Sequence, residues 1–269
     1  MEFFDSHAHY DDEKFNEDRE NLLNSIYEDG VTKFVSAGYD VESSKKGLQL
    51  SREKEYIYTI SGMSPNDVKS TLEETFKDIA VIEGLVKSEI ELSKNENRKS
   101  KILAIGEIGL DYHWNTENKK IQQEAFIKQI QLANKFNLPI VVHTREAVMD
   151  TLNILKNMCP SSKGGVFHCC PLNRELVKEG LKLGFYISFA GPITFKNSKN
   201  AEEIVTMVPN DRMLIETDSP YLAPEPKRGT RNDSRNVKYV AAKIAEFKEI
   251  TIEEVAEKTY ENALKIFNI

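Results

Sequence analysis

Ile102-Leu103-Ala104-Ile105-Gly106-Glu107 is an apolar run that ends on a carboxylate, and the long amphipathic stretch Lys119 to Phe136 follows it. The same pairing recurs on both sides. Towards the N-terminus the short apolar runs are Phe3 to Asp5, Lys33 to Ser36 and Tyr56 to Ser61; towards the C-terminus they are Pro139 to His143, Gly165 to His168, Phe185 to Phe189 and Met213 to Thr217. Amphipathic stretches lie between them at Asn16 to Glu28, Ser43 to Lys54, Val68 to Ser93, Arg145 to Met158, Arg174 to Leu183 and Ala201 to Val208, with Val237 to Phe247 and Ile252 to Phe267 at the end. This is the pattern of repeated β-α units on a parallel sheet, not of a sandwich or a bundle. Eight strands, each followed by a helix, in about 250 residues predict an α/β fold, the (β/α)8 TIM barrel, in which the loops after the strand C-termini build the active site. A doubly wound open sheet is the rival architecture. The charged stretch Ser93 to Lys101 is short and leads at once into a strand, so it reads as a solvated loop and residues 1–269 read as a single domain.

Composition narrows the class. The 269 residues carry 36 Lys and Arg against 43 Asp and Glu, a formal charge of −7, which excludes a basic protein that coats nucleic acid. With 40% hydrophobic and 29% charged residues the chain can bury a large core, and a disordered or collagen-like composition is excluded. No window approaches the roughly 18 uncharged apolar residues of a spanning helix, and Met1-Glu2-Phe3-Phe4-Asp5 has no basic region or cleavage site, so no membrane partner is expected and the expected location is the cytoplasm. Cys159, Cys169 and Cys170 are odd in number and two are adjacent, which does not make a disulfide framework; Cys169 and Cys170 read as packing residues in a reducing compartment.

Chemistry gathers at the strand ends. In an extended Asp5-Ser6-His7-Ala8-His9, the two imidazoles point to one side and can grip a cation. Glu107 ends its strand between Gly106 and Gly109, residues that permit a close approach of backbone or ligand. His143 and His168 end two further strands, and Asp218 follows Met213 to Thr217. Each has a plain structural explanation: a hydrogen-bonded histidine pair, a carboxylate in a turn, satisfied core histidines, and an Asx-type turn before Ser219-Pro220. All six nonetheless fall at the C-terminal ends of predicted strands, which the barrel turns into one pocket. Four imidazoles and two carboxylates suit a binuclear metal centre, with a carboxylate such as Glu107 as the bridge. Nitrogen-rich ligation ranks Zn, Mn, Fe or Co ahead of Mg; two divalent ions are expected, with Mg, Mn and Zn all left open. Around the mouth, Arg145, Lys196, Arg228 and Arg231 are the candidate phosphate-binding groups.

Five ordered motifs across the chain resemble the TatD family of metal-dependent hydrolases, TIM-barrel deoxyribonucleases of the amidohydrolase-like class. They are Asp5 to His9, Gly106 to Tyr112, Pro139 to Ala147, Phe189 to Phe195 and Glu216 to Pro224. The resemblance implies that His7 and His9 hold one metal with Glu107 bridging, that His143 and His168 hold the second, and that Asp218 is both ligand and proton acceptor. The chain departs from the family pattern in two places. Gly62-Met63-Ser64-Pro65-Asn66 stands where the family shows Gly-x-His-Pro-His, and Arg231-Asn232-Asp233-Ser234 stands where it shows Arg-Asn-Glu-Pro. Ser64 and Asn66 put substrate contacts in question rather than the metal set.

The function expected from these residues and this resemblance is divalent-metal-dependent hydrolysis of DNA. In it the protein, a monomer by default, acts as a 3′→5′ exonuclease on single strands through attack of a metal-bound hydroxide, with Asp218 and Glu107 at the chemistry. One alternative is hydrolysis of an amide or ester by the same centre, as in the D-aminoacyl-tRNA deacylation attributed to some TatD relatives. A binding or scaffolding protein that has lost activity is a third reading. The retained ligand set opposes it, because burying such groups without partners is costly.

Overall fold

The computed structural model of the chain describes residues 1–114, 116–158 and 163–269, so Cys159 lies outside the described residues. Among the described residues, strands and helices alternate as β1 (Phe3–Ala8), α1 (Arg19–Glu28), β2 (Val31–Ala37), α2 (Val41–Glu53), β3 (Ile57–Ser61), α3 (Leu72–Asn95), β4 (Ile102–Asp111) and α4 (Lys119–Phe136). They continue as β5 (Ile140–Arg145), α5 (Val148–Met158), β6 (Gly165–Phe167), α6 (Arg174–Lys182), β7 (Tyr186–Phe189), α7 (Ala201–Met207), β8 (Met213–Ile215), α8 (Val237–Lys248) and α9 (Ile252–Phe267). This is the element order of the expected (β/α)8 barrel with one helix added. None of the described helices is long and apolar enough to cross a membrane.

The backbone resolves into two compact units. The first, Met1–Ser36 with His168–Lys265, carries β1 paired in parallel with β2, β7 paired in parallel with β8, and a parallel bridge from Ala8 to Ser219 that joins the two pairs. The second, Ala37–Phe167 with Ile266–Ile269, carries β3, β4, β5 and β6 side by side, all parallel. Parallel strands are covered by helices on the outside, so their residues are buried along the whole run, and β1 and β4 are buried at every position.

Three strands reach further than the sequence reading placed them, because neighbouring strands offer hydrogen bonds, and three helices begin later. β1 continues past Asp5 to Ala8 because Ala8 aligns with Ser36 and bridges to Ser219. β4 continues past Glu107 to Asp111 because Gly109, Leu110 and Asp111 align with His143, Thr144 and Arg145. Glu107 is therefore an inner residue of its strand. Gly109 has φ +142°, and a Cβ there would lie 1.9 Å from the His143 carbonyl oxygen, so only glycine lets the two strands approach at this point. Arg145 belongs to β5; Glu146, in the left-handed region at φ 54°, ends the strand, and α5 begins at Val148 instead of Arg145. Likewise α1 begins at Arg19 after a short 3-10 turn at Glu13–Phe15, and α3 begins at Leu72, where the Thr71 hydroxyl caps the Glu74 amide.

Glu89, fully buried on α3, fastens three pieces of the second unit. It accepts hydrogen bonds from Arg52 Nη2 of α2 (2.6 Å), Arg98 Nη1 (2.7 Å) and the Lys101 amide (3.1 Å). Burial works to raise its pKa, but these donors outweigh it and hold it below the usual carboxylate range. We expect Glu89→Ala to destabilise the protein by about 2 kcal/mol, less than the ~3–5 of a fully buried pair because both guanidinium groups reach solvent. A depressed pKa contributes stability above the unfolded value and loses it as the pH falls. The gap between wild type and variant in urea unfolding should therefore be full at neutral pH and close in acid.

Candidate metal centre

In the first unit, the end of β1 is laced to the loop after β8. The Asp218 amide donates to the His7 carbonyl (2.9 Å) and the His9 amide donates to the Ser219 carbonyl (2.6 Å). Asp218 makes this turn in the left-handed region at φ 57°, which aspartate tolerates better than most residues. Beneath it lies the buried Asp5. Its Oδ1 accepts from the amides of His7 (3.2 Å) and Thr217 (3.0 Å), and its Oδ2 from the hydroxyls of Thr217 and Ser234, each at 2.5 Å. Burial pushes the Asp5 carboxyl up to about 7 in spite of these donors, and the nearby Glu216 adds to the rise.

Imidazoles meet above this base. The His7 and His168 rings stack 4.0 Å apart at 16°, and His9 sets its ring edge-on to His7 at 5.0 Å. Asp218 Oδ1 lies 3.2 Å from His9 Nε2 and 3.8 Å from His7 Nε2. Burial opposes charge on Asp218, but the hydrogen bond from His9 and the charges of His9, His7 and His168 prevail and lower its pKa. His7, His168 and Asp218 each present a donor atom within 4.8 Å of the others. Glu216 accepts from the Cys169 amide (2.6 Å) and places the same oxygen 3.4 Å from His168 Nδ1; its second oxygen is buried with no hydrogen bond among the described residues. Two imidazoles, a carboxylate held ionised and a buried acceptor oxygen nearby fit a divalent ion of the zinc and manganese type.

The second unit brings Glu107 and His143 together. His143 Nδ1 lies 3.0 Å from Glu107 Oε1, and its Nε2 lies 2.9 Å from Asp111 Oδ2. Burial alone would raise the Asp111 carboxyl; the hydrogen bond and charge of His143, the His113 amide and the Asn66 side chain reverse this and bring it down to about 2. With Nε2 turned to Asp111, Nδ1 is the nitrogen left on the Glu107 side, the usual way a carboxylate fixes the orientation of a ligating imidazole. Two glutamines seven residues apart on α4 support this floor. Gln122 pairs with both backbone groups of Asp111 (2.9 Å each), and Gln129 pairs with both of Met63 (2.7 and 3.0 Å). Ser64 and Asn66, which depart from the family pattern, are used structurally: the Ser64 hydroxyl donates to Asp67 (2.6 Å) and the Asn66 amide to Asp111 Oδ2 (3.3 Å).

The predicted rim residues divide. Arg145 and Lys196 are exposed, with Arg145 over the Trp114 ring at 5.3 Å. Arg228 sits 4.2 Å above the Phe195 ring. Arg231 differs from the free phosphate clamp that was expected: its guanidinium is paired bidentately with Asp18 (2.8 and 2.6 Å) and also donates to the Lys14 carbonyl. Cys170 is buried as predicted; Cys169 is half-buried and gives its amide to Glu216. Sequence reading passed over Asp5, Asp111, Glu216 and Gln122. The first three carry a signal it did not use, an acidic residue inside or at the edge of an apolar strand within four positions of a donor; Gln122 carries none.

A family model described as TatD related DNase matches residues 4–268. The chain is 43% identical over 266 residues to the uncharacterized metal-dependent hydrolase YabD of Bacillus subtilis, covering 99% of each. It is 31% identical over 274 residues to deoxyribonuclease TATDN3 of Homo sapiens, covering 98% of this chain and 93% of that one. Its fold matches the crystal structure of YJJV, a TatD homologue from Escherichia coli K12, with a TM-score of 0.89 at 24% identity over 99% and 98% of the two chains, and is the expected (β/α)8 barrel.

The lacing on Asp5 can be tested directly. Asp5→Leu leaves two amides and two hydroxyls without their acceptor, and at ~1–3 kcal/mol for each buried donor, partly relieved by rotation of the hydroxyls, the expected loss of stability is about 3–5 kcal/mol. Asp5→Asn keeps an oxygen for the two amides and should lose less than half as much. Thermal unfolding of both variants beside zinc titration calorimetry checks this, and zinc affinity should fall in the same order.

Proposed function

The chain belongs to the TatD family of metal-dependent hydrolases, and on that premise we propose that it hydrolyses the phosphodiester bonds of DNA, removing nucleotides from the 3′ ends of single strands. The observation that carries this reading is the His7, His168 and Asp218 donor cluster in a chain whose length is matched from residue 4 to 268 by a DNase family. The proposal takes residues 1–269 as one catalytic domain, acting as a cytoplasmic monomer. It assigns His7, His9, Glu107, His143, His168 and Asp218 to two divalent ions of the Mg, Mn or Zn group, with Glu107 shared. Such ions supply Lewis acidity that polarises a phosphoryl oxygen and offsets charge on the leaving oxygen.

The side chains do the rest. Asp218, held ionised, accepts a proton from the attacking water; the water oxygen bonds to phosphorus, the bond from phosphorus to the leaving oxygen breaks, and the proton passes to that oxygen. Asp111 keeps the His143 ring from turning. Arg145 has no carboxylate partner among the described residues and takes a substrate phosphate, as do Lys196 and Arg228, whereas Arg231 stays on Asp18.

The test is cleavage of 5′-labelled single-stranded DNA by metal-stripped protein with Mg2+, Mn2+ or Zn2+ restored. Shortening from the 3′ end with at least one ion is expected, and Asp218→Asn should lower kcat by about 10²-fold or more with an unchanged circular dichroism spectrum. Activity should also fall in acid and be recovered by added metal ion, because protons compete with the metal for its donor atoms. Cleavage of an aryl ester but of no strand, with any ion, would transfer the assignment to acyl hydrolysis.

A further inference from the structure

Trp114 is the single tryptophan of the chain, and it is 70% exposed. An indole is among the largest apolar groups a protein can bury, so leaving it in water forgoes much favourable transfer. Its position is nonetheless well defined. The amides of His113 (2.9 Å) and Trp114 (3.3 Å) both donate to Asp111 Oδ1, while Oδ2 of the same carboxylate holds His143 Nε2 at 2.9 Å. One buried group thus sets both a proposed metal donor and the backbone that carries the exposed ring. His113 stands edge-on to the indole at 4.7 Å and is itself anchored to Glu146 (2.7 Å). The Arg145 guanidinium lies over the ring at 5.3 Å and, among the described residues, has no ion-pair partner. Tyr221, the other large aromatic that is exposed beside a donor, is committed elsewhere: its hydroxyl donates to Asp12 (2.7 Å) and Lys14 covers its ring at 4.2 Å.

An exposed aromatic face beside an unpaired guanidinium is the combination that proteins use to hold single-stranded nucleic acid, the ring for a base and the cation for the adjoining phosphate. We propose that Trp114 is the stacking platform for a nucleobase of the substrate strand, and that Arg145 binds the phosphate next to that base. The inference rests on the reading of the protein as a DNA hydrolase and adds to it the residue that positions the strand by its base. Stacking tolerates any base, so the platform favours single strands over duplex without selecting sequence.

Because Trp114 is the only tryptophan, all indole emission comes from this position. The titration uses the metal-loaded protein, with the ion that best supports cleavage or Mg2+ if none does, and a phosphorothioate hexathymidylate that resists hydrolysis. Saturable quenching is expected, and an abasic strand with the same phosphates should quench far less. In hydrolysis of an ordinary strand, Trp114→Ala should raise KM about tenfold with kcat within about twofold, and Trp114→Phe should restore most of the loss. Emission that does not move with a strand the enzyme demonstrably cleaves, or an unchanged KM in Trp114→Ala, would overturn the platform and leave the hydrolase reading standing. Quenching without cleavage by any ion would do the reverse, and neither quenching nor cleavage would remove both.

Discussion

The convergence of four hydrogen-bond donors on the buried carboxyl of Asp5 is what the donor geometry of the first unit depends on. Two of them are backbone amides, of His7 on β1 and Thr217 just past β8, and a third is the Thr217 hydroxyl. Near a strand end the ladder runs out of partners, and a side-chain acceptor is needed to satisfy the amides left over. Asp5 meets that need and brings His7 and Asp218 to facing positions. Asp111 does the same in the second unit, where it takes two amides from the turn after β4 and one imidazole nitrogen from β5. In both cases the ordering of a proposed metal donor is a by-product of backbone satisfaction, whether the donor lies on a strand, as His7 and His143 do, or in a turn laced to one, as Asp218 does.

The alternation of elements was legible because buried parallel strands and amphipathic helices leave different periodicities in the chain. The strand ends were not, since charged residues such as Glu107 and Asp111 continue a strand once a neighbour offers hydrogen bonds, and a charge looks like a terminus when the neighbour is unknown. His7, His9, His143, His168 and Asp218 were singled out by their place near strand ends, Glu107 by the apolar run before it, and all six by the family motifs around them; the structure gathers His7, His9, His168 and Asp218 in the first unit and Glu107 with His143 in the second. Asp5 and Glu216 stand out as acidic residues at or beside apolar runs, but their partners were not legible: the fold brings hydroxyls and amides from residues more than forty positions away to point at them.

Charge on the rim shows the limit of reading residue types. Arg145 and Arg231 are alike in sequence, both following a donor and both in polar company. Their surroundings separate them: Arg231 meets the Asp18 carboxylate in a two-pronged pair, whereas Arg145 meets an aromatic ring. A guanidinium on a carboxylate has already found the geometry that a phosphate would offer, while one on a π face keeps its N–H groups available.

The first unit is assembled from the two ends of the chain, and this governs when it can exist. Ser219, to which Ala8 bridges, is made about 200 residues after β1, roughly 10–40 s at ordinary elongation rates. The second unit is continuous apart from its last four residues and has all of its strands well before then. A product that ends before Asp218 therefore lacks a complete donor set. The donor set of the first unit is completed only once the Asp218 turn has been made.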